Sequence, residues 1–329
     1  MDSNRELLFS IIIPVYQAKD TLSECVESCL AQKNVDPKEF EIILVDDGST
    51  DGGSELCDEL AKKDELNRIN VRHTNNCGVS HARNVGIDMA TGRFVIFIDS
   101  DDTVSDVFLS NLIKHADEST LLVDEARNFE SSQKISGFNY IENSVLQENT
   151  HVWGKLFDRK CLNDGNIRFV EGLTIGEDLL FLMDFGIFVG KNRAIRCIAE
   201  DDYRYNTNDN GAMNSSFKKS YLDQLVCWKA AEEKLLAVKE SISPYSFVSV
   251  SASQVLTALL VVGKVATQTG ERDSELDKYA ISESRKQIDN ALKRRGTFAA
   301  LSFGHKLKVI ILRANPELYI KLYARHKGV

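Results

Sequence analysis

The sequence predicts an α/β protein: a mostly parallel sheet flanked by helices, followed by a C-terminal helical region. Two observations carry this. Over the first hundred residues, short β-branched apolar runs alternate with amphipathic helical stretches, the order that builds βαβ units. Beyond residue 216 the strand-like runs stop and helical periodicity continues to the end.

Phe9-Ser10-Ile11-Ile12-Ile13 reads as a buried strand ended by Pro14. Asp20 or Thr21 caps a helix whose apolar face is Leu22, Cys25, Val26, Cys29 and Leu30. Phe40 to Val45 is a second strand, stopped by Asp46-Asp47-Gly48-Ser49. A helix over Ser54 to Lys63, a strand over Asn70 to His73 and a helix over Ser80 to Met89 follow. Thr91-Gly92 closes that helix, and Arg93 to Ile98 is a strand running into Asp99-Ser100-Asp101-Asp102. Next come a helix over Val107 to Ala116 and a strand over Thr120 to Val123. A helix over Leu179 to Val189 and strands at Ile195 to Ile198 and Tyr203 to Tyr205 complete the α/β part. Tyr221 to Val238 is an amphipathic helix. The expected division is 1–216 and 217–329, the first part split into a nucleotide-binding half over 1–104 and an acceptor half over 105–216.

Composition narrows the function. With 43% apolar residues in a chain of 329, a large core is affordable, and no repeat or low-complexity tract appears. Met1 to Glu6 carries no signal-peptide pattern. Phe247 to Val262, interrupted by Ser, Gln and Thr, is too short a run to cross a bilayer, so a buried helix is expected there. Seven scattered cysteines without a Cys-x-x-Cys pair predict reduced thiols, a cytoplasmic setting and no zinc site. Net charge is -9, yet residues 285–329 hold eleven Lys and Arg against Asp289 and Glu317, a local +9 that leaves the rest near -18. So acidic a body argues against nucleic acid as a partner.

In a sheet of this kind ligands gather beyond the carboxyl ends of the strands. Pro14-Val15-Tyr16, Asp46-Asp47 and Asp99 to Asp102 all fall there. Asp99 and Asp101 stand two apart, so on extended backbone they would share a face and offer hard oxygen ligands to Mg²⁺ or Mn²⁺. Glu177-Asp178 opens a helix after Gly176. Each cluster also has an ordinary reading: acidic turns, Asx-turns, and acids placed at a helix N-terminus.

Ser10 to Tyr16, Val45-Asp46-Asp47-Gly48-Ser49-Thr50-Asp51, Ala82-Arg83-Asn84-Val85-Gly86, Asp99-Ser100-Asp101-Asp102 and Gly176-Glu177-Asp178 stand in the order found in family 2 glycosyltransferases. The chain resembles that family over about residues 8 to 206. The resemblance implies a GT-A fold, an inverting reaction, a UDP-sugar donor and Mn²⁺ or Mg²⁺. It implies that Asp99 faces ribose and metal and Asp101 is the main metal ligand. Pro14, Tyr16, Asp47 and Arg83 would line the nucleotide, with Tyr16 stacking on the base and Asp47 accepting from its N3–H. Arg83 could neutralise phosphate or tie an acidic loop. Asp178 would be the general base, with Glu177 beside it binding a sugar and raising its pKa. Val152-Trp153-Gly154-Lys155-Leu156 resembles a further family element: Trp153 as an apolar wall for an acceptor sugar or a core residue, Lys155 meeting phosphate or carboxylate.

The function expected is transfer of a sugar to a glycan or lipid-linked acceptor in surface polysaccharide synthesis. The rival from another class is a catalytically inactive carbohydrate-binding or scaffold protein of the same fold. A nucleotidyltransferase is disfavoured because Pro14 to Lys19 contains no glycine. Phe303 to Lys327 reads as a basic amphipathic helix, suited to an anionic membrane face, to packing on the catalytic domain, or to a homo-oligomer interface.

Overall fold

The computed structural model describes residues 7–125, 133–147, 149–191, 195–198, 202–206, 217–267 and 274–327. The N-terminal Met1 to Glu6 and the expected boundary at residue 216 lie outside these. The chain forms two compact units, Met1–Thr207 and Asn208–Val329.

The first unit is built on ten strands: β1 Phe9–Val15, β2 Phe40–Asp46, β3 Ile69–His73, β4 Phe94–Phe97, β5 Thr103–Val104, β6 Leu122–Glu125, β7 Gln133–Ile135, β8 Lys155–Asp158, β9 Ile195–Ile198 and β10 Tyr203–Arg204. Seven helices accompany them: α1 Leu22–Leu30, α2 Gly53–Lys63, α3 Val79–Met89, α4 Phe108–Lys114, α5 Gly137–Asn143, α6 Arg159–Asp164 and α7 Glu177–Val189. Eight strands form one sheet in the order β3-β2-β1-β4-β8-β6-β9-β7. The first four run parallel, with Ile11 of β1 opposite Ile42 on one side and Ile96 on the other. β1 is buried along its whole length, which is why it carries an unbroken apolar run.

The sheet is more mixed than expected. β8 enters antiparallel between β4 and β6, and β7 is antiparallel to β9. Hydropathy marks a strand but not its neighbour, so an inserted strand of opposite sense leaves no sequence trace. β5 and β10 pair outside the sheet as a short antiparallel ribbon. That ribbon sets Tyr203 beside the loop between β4 and β5.

Two close approaches fix α3 and α7. A Cβ at Gly86 would lie 2.3 Å from Ile12 Cγ2, so α3 rests directly on β1. Gly176 caps α7 with φ +95, a left-handed conformation glycine takes without strain. Beneath both, Phe97, Phe157, Phe169, Phe181 and Phe185 interlock, Phe169 stacked on Phe181 at 4.1 Å and edge-on to Phe97 at 5.3 Å.

The second unit is helical: α8 Asp223–Ala237, α9 Pro244–Val265, α10 Ser274–Ala291, α11 Thr297–Ala300, α12 Phe303–Ala314 and α13 Pro316–Lys327. α9 is long and apolar enough to cross a membrane by length and composition, yet 67% of that stretch is buried inside the structure. It is the axis on which α8 and α10 to α13 pack. The single helix expected over Phe303 to Lys327 is two helices. Pro316 removes an N–H and forces Asn315 to φ -151, ψ 95, so the chain turns and restarts.

Gly86→Val is expected to cost roughly 2–3 kcal/mol in urea unfolding, the scale of overpacking a filled core. Ile12→Ala in the same chain should recover part of the loss. An unchanged midpoint in the single variant would contradict the close seating of α3.

Candidate active site

The site builds up at the carboxyl ends of β1, β2 and β4. After β2, Asp46 accepts from Ser49 N–H at 3.0 Å, Ser54 Oγ–H at 2.6 Å and lies 2.9 Å from His73 Nδ1, so it braces the loop. Asp47 is also buried, accepting from Cys77 N–H at 2.9 Å and Gly78 N–H at 2.8 Å. Its first task is to hold the loop leading into α3. Its Oδ2 takes only the Gly78 N–H among the described residues, which leaves one lone pair for another donor. Tyr16, at the end of β1, is 52% exposed and able to offer a ring face. Pro14 is buried within β1 and can contribute only through its position in the strand.

Asp99 to Asp102 do not continue the strand. Asp102 N–H donates to Asp99 O at 3.0 Å, closing a turn, so the alternation argument for a shared face does not apply. The turn nonetheless gathers the carboxylates, and the Asp99 charge together with burial raises the Asp101 pKa. Asp102 is the structural member. It accepts from Tyr203 Oη–H at 2.6 Å and Asn206 N–H at 2.8 Å, and burial lifts its pKa to about 6. Tyr203 Oη in turn accepts from Asp99 N–H at 3.2 Å, tying the turn to the β5–β10 ribbon.

The centre of the site is Arg83. Its Nη2 lies 2.9 Å from Asp99 Oδ1, and its Nη1 lies 2.7 Å from Asp178 Oδ1 and 3.4 Å from Glu177 Oε1. One guanidinium therefore joins the β4 turn to the start of α7, 95 positions further along the chain than Arg83 itself. The side chain is 5% exposed and lies over the Phe169 ring at 5.2 Å. Of the two roles weighed for Arg83, tying acidic loops is the one its geometry fills; a phosphate contact does not fit a guanidinium whose Nη atoms are already committed to carboxylates.

Residues around Arg83 on α3 hold the same segment. Asn84 Nδ2–H donates to Phe169 O at 2.9 Å and its Oδ1 accepts Phe169 N–H at 2.8 Å. His81 Nδ1 and Asn84 Nδ2 both lie 3.2 Å from Glu171 Oε1. Thus the α3 face clamps the stretch that delivers Glu177 and Asp178.

Burial dominates the acidity of that pair. Glu177 is pushed up from an ordinary 4.5 to about 7, first by desolvation and then by the Asp178 charge, with Arg83 opposing. Asp178 is raised too, by desolvation, with Arg83 again pulling it down. Arg83 lies nearer Asp178 than Glu177, so Asp178 is the carboxylate held charged, and the proton that burial favours belongs on Glu177. Among the described residues Asp178 Oδ2 receives only Val152 N–H, at 3.3 Å, which leaves a lone pair for an incoming hydroxyl.

Val152 leads into an aromatic stack. Trp153 lies between His151 at 3.7 Å and Tyr203 at 4.3 Å, with the exposed Tyr205 ring at 5.9 Å. Sequence reading placed Trp153 here but missed Tyr203, Tyr205, His151 and Phe169, which belong to no short motif; the only trace was the aromatic spacing in Tyr203-Arg204-Tyr205. Of the two partners weighed for Lys155, phosphate and carboxylate, the structure supplies a carboxylate. Lys155 is fully buried on β8, 2.8 Å from Asp124 Oδ1 and donating to Asn149 Oδ1 at 3.0 Å. A buried ammonium needs that partner, and it is held there beyond the reach of an acceptor.

Among the described residues no group of three or more His, Cys, Asp or Glu side chains converges as a metal cage. The donor set still suits a divalent cation completed by a diphosphate. The Asp101 backbone carbonyl accepts from Asn206 Nδ2–H at 2.8 Å, while its carboxylate accepts no hydrogen bond from another described residue, is half-buried, and is repelled by Asp99. Two hard carboxylates with oxygen lone pairs to spare fit Mg²⁺ or Mn²⁺, which keep waters and substrate phosphates as their other ligands.

A family model, glycosyl transferase family 2, matches residues 10–161, a span that holds every strand-end carboxylate of the site and stops short of Glu177. The chain is 29% identical over 236 residues to an uncharacterized glycosyltransferase, EpsJ, of Bacillus subtilis, covering 66% of each. It is 37% identical over 150 residues to glycosyltransferase GlyG of Streptococcus pneumoniae, covering 43% of this chain and 48% of that one. Over 216 residues it is 30% identical to the poly(ribitol-phosphate) beta-N-acetylglucosaminyltransferase TarS of Staphylococcus aureus, covering 63% of this chain and 37% of the relative. The matched segments thus span less than two thirds of these relatives' own lengths. Among solved structures, S. aureus TarS 1-349 in complex with UDP-GlcNAc superposes with a TM-score of 0.70 at 20% identity, covering 98% of this chain and 92% of that one. A mannosyltransferase from Pyrobaculum calidifontis, in complex with GDP-Man and Mn²⁺, gives 0.52 at 16% identity.

Removing the guanidinium should leave three crowded carboxylates uncompensated. Arg83→Gln is expected to lose about 3–5 kcal/mol at pH 8, the cost of breaking a buried ion pair, and to regain part of it at pH 5, where protonation relieves the repulsion. Equal loss at both pH values by chemical denaturation would refute the charge argument. A second expectation concerns Glu177. The folded chain keeps a proton that the unfolded chain releases above about 4.5, so native stability falls as pH rises from 4.5 towards 7. Glu177→Gln should make that slope shallower by removing Glu177's share, a difference of about 3 kcal/mol at most, while Asp102 keeps its own; parallel stability profiles for the two proteins would rule it out.

Proposed function

The chain belongs to glycosyl transferase family 2 through residues 10–161, and from that premise we propose that it transfers a sugar from a UDP-sugar to a hydroxyl of a glycan or lipid-linked acceptor, with inversion at the anomeric carbon, in bacterial surface polysaccharide synthesis. The observation that carries the reading is the joining of Asp99 and Asp178 by one guanidinium, at 2.9 and 2.7 Å. A donor-side carboxylate and a base candidate are thereby held within reach of one guanidinium. The relatives named for surface-polymer chemistry and the UDP-GlcNAc complex of a protein with this fold support the choice of donor class.

In this reading Tyr16 stacks on the uracil, and the free Asp47 lone pair accepts from its N3–H. Asp99 and Asp101 are the residues that would hold Mn²⁺ or Mg²⁺. When bound, that ion supplies Lewis-acid stabilisation of the charge that grows on the departing UDP. Asp178 does the proton work. Arg83 grips its Oδ1 and aims Oδ2 at the acceptor; Oδ2 takes the hydroxyl proton as that oxygen bonds to the anomeric carbon and the bond from that carbon to the phosphate oxygen breaks. Trp153 and Tyr205 form the wall along which the acceptor sugar lies. Cysteines that form no disulfide among the described residues fit a cytoplasmic site of action. We assign the donor side to residues 1–104 and the acceptor side to the remainder of the first unit.

The inactive-scaffold alternative is tested directly. Asp178→Asn should keep UDP-sugar affinity within about threefold and lose transfer by ~10²-fold or more, the usual scale for a general base. Scoring release of UDP from a panel of UDP-sugars with Mn²⁺ separates the cases: full turnover in the variant would refute the base, and no UDP release from any sugar by the unaltered protein would favour the scaffold.

A further inference from the structure

The second unit carries apolar surface that its own core does not use. Of the sixteen large apolar side chains exposed among the described residues, six lie between Phe298 and Leu322. Three of them, Phe303, Leu307 and Ile310, stand at helical spacing on one face of α12, opposite the buried Val309 and Leu312. Phe303 is 84% exposed, the most exposed large apolar residue of the set. Lys306 and Arg313 border this stripe on one side, and Lys308 stands exposed about 100° round from Leu307 on the other, by the 3.6-residue period. On α13, Leu318 and Leu322 are exposed beside Lys321 and Arg325.

Arg313 pairs with Asp289 at 2.9 Å and Lys306 donates to Ala299 O at 3.1 Å, but other cations of this end are uncommitted. Lys308, Lys321, Arg325 and Lys327 form no ion pair with any described residue, although the chain as a whole is acidic. Eleven basic against two acidic residues after position 284 leave this end of the sequence at +9, the rest near -18. Lysine flanking an apolar stripe is poor material for a protein interface, where lysine is depleted. It suits a surface that is negative at the headgroups and apolar just below.

We propose that α12 and α13 dock the protein on an anionic lipid bilayer, with Phe303, Leu307 and Ile310 entering the headgroup boundary and Lys308, Lys321 and Arg325 meeting lipid phosphates. The helices lie on the surface: their polar faces and packing on α9 exclude a span. Nothing in this depends on the sugar-transfer reading, since none of these residues belongs to the candidate active site.

The test is cosedimentation of the full-length chain with vesicles of phosphatidylcholine alone and of phosphatidylcholine with 30% phosphatidylglycerol. The expected result is binding to the anionic vesicles only, weakened at 0.5 M NaCl by charge screening. Phe303→Ser/Leu307→Ser/Ile310→Ser should lower the partition at least ~10-fold, and Lys308→Glu/Lys321→Glu/Arg325→Glu, which leaves the apolar stripe intact, should do the same. Circular dichroism confirms folding of each, and either folded variant suffices for the comparison. No binding to anionic vesicles, equal binding to neutral ones, or undiminished binding by a folded variant would overturn the proposal. So would a homodimer in light scattering that the serine variant converts to monomer, since the stripe would then belong to a second copy.

Discussion

Everything about the first unit's rim follows from one buried guanidinium that must serve three carboxylates. Asp99, Glu177 and Asp178 come from two loops far apart in sequence, and without Arg83 their mutual repulsion in a partly dehydrated pocket would push the loops apart. The surroundings are arranged to make that guanidinium immovable. Gly86 lets α3 sink onto β1, Asn84 pins Phe169 through two reciprocal hydrogen bonds, and the Phe169 ring sits under the guanidinium plane. Lysine could supply the charge, but not two directed Nη contacts to separate loops.

The same contact sets a tension within the chemistry. A base needs a raised pKa, and burial provides it for Asp178; a nearby cation lowers it, and Arg83 does so. Position decides which matters more. The grip falls on Oδ1 and fixes the direction of Oδ2, while Glu177, less tightly held, is pushed up to about 7 by burial. With a proton on Glu177, the cluster of Arg83, Asp99, Glu177 and Asp178 carries one net negative charge rather than two. That is a cheaper state to bury, and it leaves Asp178 ionised beside its cation.

What the sequence made legible were features that depend on near neighbours. The unbroken apolar runs of β1, β2 and β4, the glycines after helices and the acidic strand ends are all local, and they located the sheet and most of the rim. Features that depend on distant partners were hidden. Asp99 and Asp101 read as an alternating pair, but a backbone hydrogen bond from Asp102 to Asp99 turns the chain there. Lys155 read as meeting phosphate or a carboxylate, and which carboxylate was hidden because Asp124 lies in another strand. Tyr203 showed no motif at all; it matters because β10 pairs with β5, which brings its hydroxyl onto Asp102 and its ring onto Trp153. The break at Asn315-Pro316 was in plain view, since proline seldom continues a helix, and apolar periodicity on both sides of it masked the signal.

The second unit shows why hydropathy alone cannot assign a helix to lipid or to protein. α9 has the composition of a span, yet its polar residues point inward and are used there: Gln254 Nε2–H donates to Glu232 at 2.9 Å, and its carbonyl accepts from Gln287 at 3.1 Å. Tyr319 of α13 donates to Leu259 O at 2.9 Å on the same helix. A helix whose polar groups are met by protein on several sides has no face left for hydrocarbon. α12 is the reverse case, less apolar overall but with its largest apolar groups turned out and its lysines beside them. Position of the apolar groups, not their number, separates a core helix from one built for an interface.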